Sequence, residues 1–279
     1  VYSGVFTDYT IVDINEVFRI PFIEYGLVFL FVFVIYLPIY LDKKYHFSKN
    51  VKRIFGITLY VLIGLVAVSV IYVSSPYEPA PEMENSYVLD AVIEKKDGRK
   101  AIVFEPSSYS INIVFIPGGK VVPEAYSYLA AELANAGMKV TIIKPIGNLA
   151  ILQPNLADKY IENDKTNVVI GHSLGGVVAS MVVSGNSDID YMILLGSYNI
   201  KEIENAKTLI ISAEFDVQMD WDEYDERTTS IVDLTEEMIL DGNHAYFGFY
   251  GEQRGDGTAN MTNLEQQQIV VDLIIDFLE

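Results

Sequence analysis

A serine set between glycines, one histidine far downstream and acidic residues between them are the side chains of this 279-residue chain best suited to do chemistry. Gly171-His172-Ser173-Leu174-Gly175-Gly176 has the form G-x-S-x-G, follows the apolar run NVVIG and opens a stretch rich in small residues. A tight turn from strand to helix strains its central residue, so the positions two before and two after must lack bulky side chains; Gly171 and Gly175 satisfy this. The turn lifts Ser173 to the end of a sheet and sets it at a helix N-terminus, whose dipole favours developing negative charge. The chemistry implied is nucleophilic attack on an acyl carbon.

A serine hydroxyl needs a base, and the expected chain order is Ser, then Asp or Glu, then His. Of the three histidines, His46 sits in a basic loop and His172 is fixed beside the serine, where it would pack or hydrogen-bond under the turn. His244, in DGNHAYFGFYGEQRGDG, remains as the base. A carboxylate after the strand KTLIISA should orient it. Asp216, displaced into the loop, fits better than Glu214, and Asp220, Asp222 and Asp225 rank lower because WDEYDE reads as a solvated acidic loop. Two main-chain donors should stabilise the oxyanion: Leu174 after the nucleophile, and Gly119 in Pro117-Gly118-Gly119-Lys120, with Lys120 close behind. Tyr246, Phe247, Phe249 and Tyr250 are candidates for either an acyl pocket or core, and Arg254-Gly255-Asp256 reads as a turn held by its two charged residues.

Elements able to position these residues are visible upstream and between them. Asp97-Gly98 marks a hairpin between YVLDAVIE and KAIVFEP. INIVFIP, MKVTIIK, NVVIG, YMILLGS, KTLIISA and EEMIL read as strands, and PEAYSYLAAELANAG and SLGGVVASMVVSG as helices. Continuous apolar strands suit a mostly parallel sheet covered by helices on both faces, placing residues 87–279 in the α/β class. About forty residues separate Ser173 from Asp216, leaving room for little or no cap.

The hydrophobic fraction of 51%, with mean hydropathy +0.26, is concentrated before Val73. Ile23 to Leu41 and Ile54 to Val73 each have the length needed to cross a hydrocarbon core of about 30 Å. The leader, residues 1–22, is acidic and unlike a signal peptide. The connection at residues 42–53 carries Lys43, Lys44, Lys49, Lys52 and Arg53 against Asp42, which predicts a cytoplasmic loop and a two-pass cell-membrane protein with its globular domain outside. Residues 74–86, rich in Pro, Glu and Ser, read as an extended linker. A net charge of −19 without a basic patch argues against nucleic acid. The absence of cysteine excludes a thiol nucleophile and Cys-type zinc sites, and three scattered histidines give no metal site. No cofactor is expected, and oligomeric state is left open.

PGGKVVPEAYSYLAAELANAG, GNLAILQPN, GHSLGG and GNHAYFGFYGEQRGDG together resemble a bacterial branch of the α/β-hydrolase superfamily, loosely related to dienelactone hydrolases, over Ile111 to Glu279. The resemblance implies that fold and a serine, histidine and aspartate triad, mapped onto Ser173, His244 and Asp216, with the PGGK loop in the oxyanion region. Dienelactone hydrolases use a cysteine where this chain has Ser173, so their substrate is not carried over. The expectation is a membrane-anchored serine hydrolase of the carboxylesterase kind, acting on a small or lipid-like acyl compound. Alternatives are an acyltransferase to a lipid or cell-wall acceptor, and a non-catalytic binding protein on a hydrolase fold.

Overall fold

A computed structural model of the chain describes Tyr36, Tyr40, Lys43, Lys44 and residues 48–73 and 75–279, which divide into two compact units, Val1–Tyr72 and Val73–Glu279. The first expected span lies outside the described residues except for Tyr36 and Tyr40, both helical. The second falls inside helix α1 (Lys49–Val73). Its stretch Lys49–Val68, mean hydropathy 2.0, is long and apolar enough to cross a membrane, and Ile54, Ile57, Tyr60, Leu62 and Leu65 are exposed along it. Lys49, Lys52 and Arg53, expected in the basic connection, belong to this helix. Nothing in their type opposes this, since Lys and Arg are good helix formers.

The second unit is built on one eight-stranded sheet in the order β1-β2-β4-β3-β5-β6-β7-β8. Strands β1 (Ile93–Asp97) and β2 (Ala101–Pro106) form the hairpin expected at Asp97-Gly98, and β2 also runs antiparallel to β4 (Lys139–Ile143). Tyr87 to Val92, expected in the first strand, is irregular and is held by Asn135, whose side chain bonds Asp90 N–H and Val88 O. The remaining strands, β3 (Ile111–Ile116), β5 (Thr166–His172), β6 (Tyr191–Leu195), β7 (Lys207–Ala213) and β8 (Leu234–Ile239), are parallel to one another and to β4.

Alternation along these strands feeds two cores. Ile113, Phe115, Ile170, Leu195 and Ile211 pack under α2 (Ser127–Asn135) and α5 (Asn263–Leu278). Val114, Ile116, Val169, Leu194 and Ile210 pack under α3 (Leu174–Ser184) and α4 (Trp221–Thr228). Each such fully buried aliphatic side chain contributes about 1.5–3 kcal/mol, so the sheet is a rigid frame for what its ends carry. Two expectations are corrected. WDEYDE is helix α4, not a loop: Asp220 caps it by accepting Glu223 N–H, and Glu223 pairs with Arg227 one turn on. The stretch expected as an extended linker is docked on the domain. Tyr77 bridges Val121, its N–H reaching Lys120 O (2.8 Å) and its carbonyl accepting Val122 N–H (3.0 Å), and Met83 in a short 3-10 turn (Pro81–Asn85) is buried. Proline and glutamate suggested solvation, but the tyrosine and methionine among them supply the apolar anchors.

Candidate active site

Because β3, β5, β7 and β8 are parallel, the segments that follow them emerge at one end of the sheet, and Gly119, Ser173, Asp216 and His244 each sit just beyond one of these four strands. Ser173 joins β5 to α3 with φ 53° and ψ −125°, a conformation costing on the order of 1–3 kcal/mol for a residue with a side chain. Its N–H donates to Leu195 O (3.0 Å), and its carbonyl accepts from the Ser197 hydroxyl (2.8 Å) and Gly176 N–H (2.8 Å). The backbone is thus pinned from β6 while the side chain is left half-exposed. The glycine spacing has the expected steric cause. A Cβ on Gly171 would lie 2.5 Å from Gly175 O, and one on Gly175 would strike the carbonyls of Ile116 and Pro117.

His244 and Asp216 come together as sequence order required: Nδ1 lies 2.7 Å from Oδ2, with both side chains buried. Asp216 Oδ1 accepts from Gln218 N–H (2.9 Å) and Met219 N–H (3.0 Å), which fixes the carboxylate with one oxygen turned to the imidazole. Glu214 is exposed and accepts Asp241 N–H (3.0 Å), so it holds the turn after β8 rather than the histidine. Ser173 and His244 are neighbours through β6: Leu195 holds the Ser173 N–H, and a Cβ on the next residue, Gly196, would lie 3.0 Å from both Asp216 Oδ2 and His244 Nδ1. Among the described residues no hydrogen bond joins Ser173 Oγ to His244; the His244 ring is held by Asp216.

The two expected oxyanion donors are uncommitted. Neither Gly119 N–H nor Leu174 N–H has an acceptor among the described residues, and the two residues touch, a Cβ on Gly119 meeting Leu174 Cδ2 at 3.0 Å. Lys120 N–H is taken by Asn148 O (2.8 Å), which separates it from Gly119. His172 lies buried beneath the turn, hydrogen-bonded to the Tyr126 hydroxyl. Burial, and after it the charge of His244, hold its pKa well below the ordinary histidine value, opposed by the His244 carbonyl. Phe247, Phe249 and Tyr250 are buried core, which leaves only the half-exposed Tyr246 of that aromatic set. Among the described residues no three His, Asp or Glu side chains converge to hold a metal.

Sequence reasoning missed what holds the base loop. Gln266, fully buried in α5, accepts Asn243 N–H (3.0 Å) and donates to Asn243 O (2.8 Å), while Gln267 donates to Tyr246 O (2.6 Å) and Asn263 to Gly248 O (2.9 Å). Asp256 accepts Ala245 N–H (2.8 Å) and Gly257 N–H (2.9 Å); burial raises its pKa despite these two donors. Of the two charged residues expected to hold this turn, Asp256 does so while Arg254 is exposed, and Gln218 adds a bond to Gly255 O (2.8 Å). The available signal was the run of amide side chains, Asn263 and Gln266 to Gln268, at the start of an otherwise apolar helix.

A model of the alpha/beta hydrolase family matches residues 112–268, more than half of the chain. No curated protein sequence matches it. Among solved structures, a dienelactone hydrolase from Anabaena variabilis ATCC 29413 superposes with TM-score 0.50 at 12% identity, covering 66% of this chain and 98% of that one. A thermophilic esterase from Thermogutta terrifontis gives 0.49 at 15% identity over 71% and 95%. A predicted CIB-like hydrolase from Thermoplasma acidophilum gives 0.45 at 16% over 65% and 96%. At 12% identity the likeness to the first of these speaks to the fold alone.

Proposed function

Because the chain belongs to the alpha/beta hydrolase family, we propose that it is a serine hydrolase cleaving an ester or similar acyl compound through a covalent acyl-enzyme. The observation that carries this reading is the buried His244–Asp216 pair at 2.7 Å, set at the same sheet edge as the strained Ser173 and two uncommitted N–H groups. Ser173 Oγ gives its proton to His244 Nε2 as it attacks the carbonyl carbon. Asp216 fixes the tautomer and stabilises the imidazolium. The oxyanion takes the N–H groups of Gly119 and Leu174, at the N-terminus of α3. His244 then returns the proton to the leaving group, and water, activated by the same imidazole, clears the acyl group.

The helix Lys49–Val68 is read as a membrane anchor, with the hydrolase domain outside and the positive residues at and before its N-terminal end inside. The chain has no cysteine, so a single Val88→Cys, at an exposed position of the domain, reports the side directly. Labelling by an impermeant maleimide in intact cells supports an outward domain; labelling only after lysis contradicts it. Activity is tested with p-nitrophenyl acetate in detergent. A burst of p-nitrophenol matching the enzyme concentration, absent in Ser173→Ala, supports an acyl-enzyme. A well-folded chain without turnover returns the fold to a binding role. Product ester formed in preference to hydrolysis when an alcohol is added moves the assignment to acyl transfer.

A further inference from the structure

Of the two glycine N–H groups in the loop after β3, one is turned inward. Gly118 N–H donates to the Tyr126 hydroxyl (2.9 Å), and the same oxygen lies 2.8 Å from His172 Nδ1. Both side chains are fully buried, with Tyr126 at the start of α2 and His172 at the end of β5. With His172 neutral and its proton on Nε2, the hydroxyl oxygen accepts from Gly118 N–H and gives its own proton to Nδ1. The low pKa of His172 agrees, and the ring stays uncharged beside a base that gains and loses a proton. The His172 ring centroid stands 4.8 Å from that of His244, with Phe247 at 5.8 Å on the same ring. Glycine at position 118 is set by this pair, since a Cβ there would lie 2.9 Å from His172 Nδ1 and 3.1 Å from the Tyr126 hydroxyl.

We propose that Tyr126 and His172 are positioning residues, the phenol fixing the oxyanion loop through Gly118 so that Gly119 N–H remains its uncommitted donor, and the His172 ring backing His244. One buried pair would then tie the donor of the oxyanion site to the base, although the two lie on loops more than a hundred residues apart in sequence. The inference rests on the acyl-enzyme reading and adds to it two residues that touch neither substrate nor reacting atoms. It accounts for Tyr126, the first tyrosine in PEAYSYL, and for the histidine that precedes Ser173, neither of which the triad itself uses.

The test is Tyr126→Phe in the full chain in detergent, with p-nitrophenyl acetate turnover expressed per site titrated by a fluorophosphonate. The inference expects kcat per active site to fall about 10- to 100-fold with KM within about twofold, because ground-state binding needs no fixed oxyanion donor. Affinity for an alkyl boronic acid, which forms a tetrahedral anion on the serine, should fall by the same factor. A merely structural role would lower the fraction of active sites and leave kcat per site unchanged, and that result overturns the inference. If Tyr126→Phe does not fold, His172→Phe, which keeps a ring against His244 but removes the acceptor for the phenol, decides by the same readings. A wild-type chain with no titratable serine removes the acyl-enzyme reading, and this inference with it, before either variant is measured.

Discussion

At the Ser173 turn, residues 171–176, contacts of main chain with main chain do most of the positioning, with the Ser197 hydroxyl added, whereas at the His244 loop, residues 243–257, more of the work falls to side chains. Ser173 is held by Leu195 O and by glycines that no larger residue could replace. His244 is held by Asp216 and by amides reaching across from α5, with Asp256 closing the loop on itself. The first arrangement writes itself into a short pattern of fixed spacing. The second leaves only a residue type in roughly the right place, because its partners are distant in sequence and interchangeable in kind. A nucleophile must be presented in a strained conformation, and steric exclusion does that best. A base must shift between two protonation states, and hydrogen bonds can follow that change.

This contrast can be broken at its strongest point first. Asp216→Asn keeps the shape of the pair but removes the charge and allows the wrong imidazole tautomer, so kcat should fall about 10³- to 10⁴-fold with KM little changed. Steady-state kinetics on the folded variant check this, and a loss below tenfold would mean that another group orients His244.

A smaller effect is expected where side chains only support the loop. Gln266→Leu leaves the N–H and carbonyl of Asn243 buried without partners, each at about 1–3 kcal/mol, so the thermal midpoint should drop. A kcat loss of about tenfold should accompany it as His244 loosens. An unchanged midpoint would show that the loop is held by Asp256 and the protein core instead.

The smallest effect is a pH dependence of stability. His172 is kept neutral when folded but titrates near 6.5 when unfolded, so below that pH the unfolded chain binds the extra proton. Stability is therefore full above about pH 6.5 and declines as pH falls, by at most about 1.4 kcal/mol per pH unit from this residue. Denaturant unfolding of wild type against His172→Phe at several pH values isolates this slope. A slope that persists in the variant assigns it to other groups.

The mostly parallel sheet was legible because its buried strands are continuous apolar runs, and the meeting of His244 with Asp216 was expected from the chain order of the serine, the acidic residue and the histidine. Less legible were elements whose composition pointed one way and whose contacts went another. WDEYDE is acidic yet helical because Asp220 caps it, and Tyr77 docks a segment that its prolines and glutamates advertised as free. Gly196 could not be singled out at all, since its need to be glycine comes from the Asp216–His244 pair packed against it. The sequence preferred Gly119 only narrowly over Lys120, and what separates them, Asn148 O taking the Lys120 N–H, has no sequence signal.

The central claim is that Ser173 is a nucleophile activated by His244, and covalent capture tests it most directly. The full chain in detergent is treated with a fluorophosphonate and the adduct is located by peptide mass spectrometry, alongside His244→Ala. A single adduct on Ser173 in the wild type, formed at least about 10²-fold more slowly in His244→Ala, is the predicted result. No adduct on well-folded protein, or equal labelling in the variant, would contradict it.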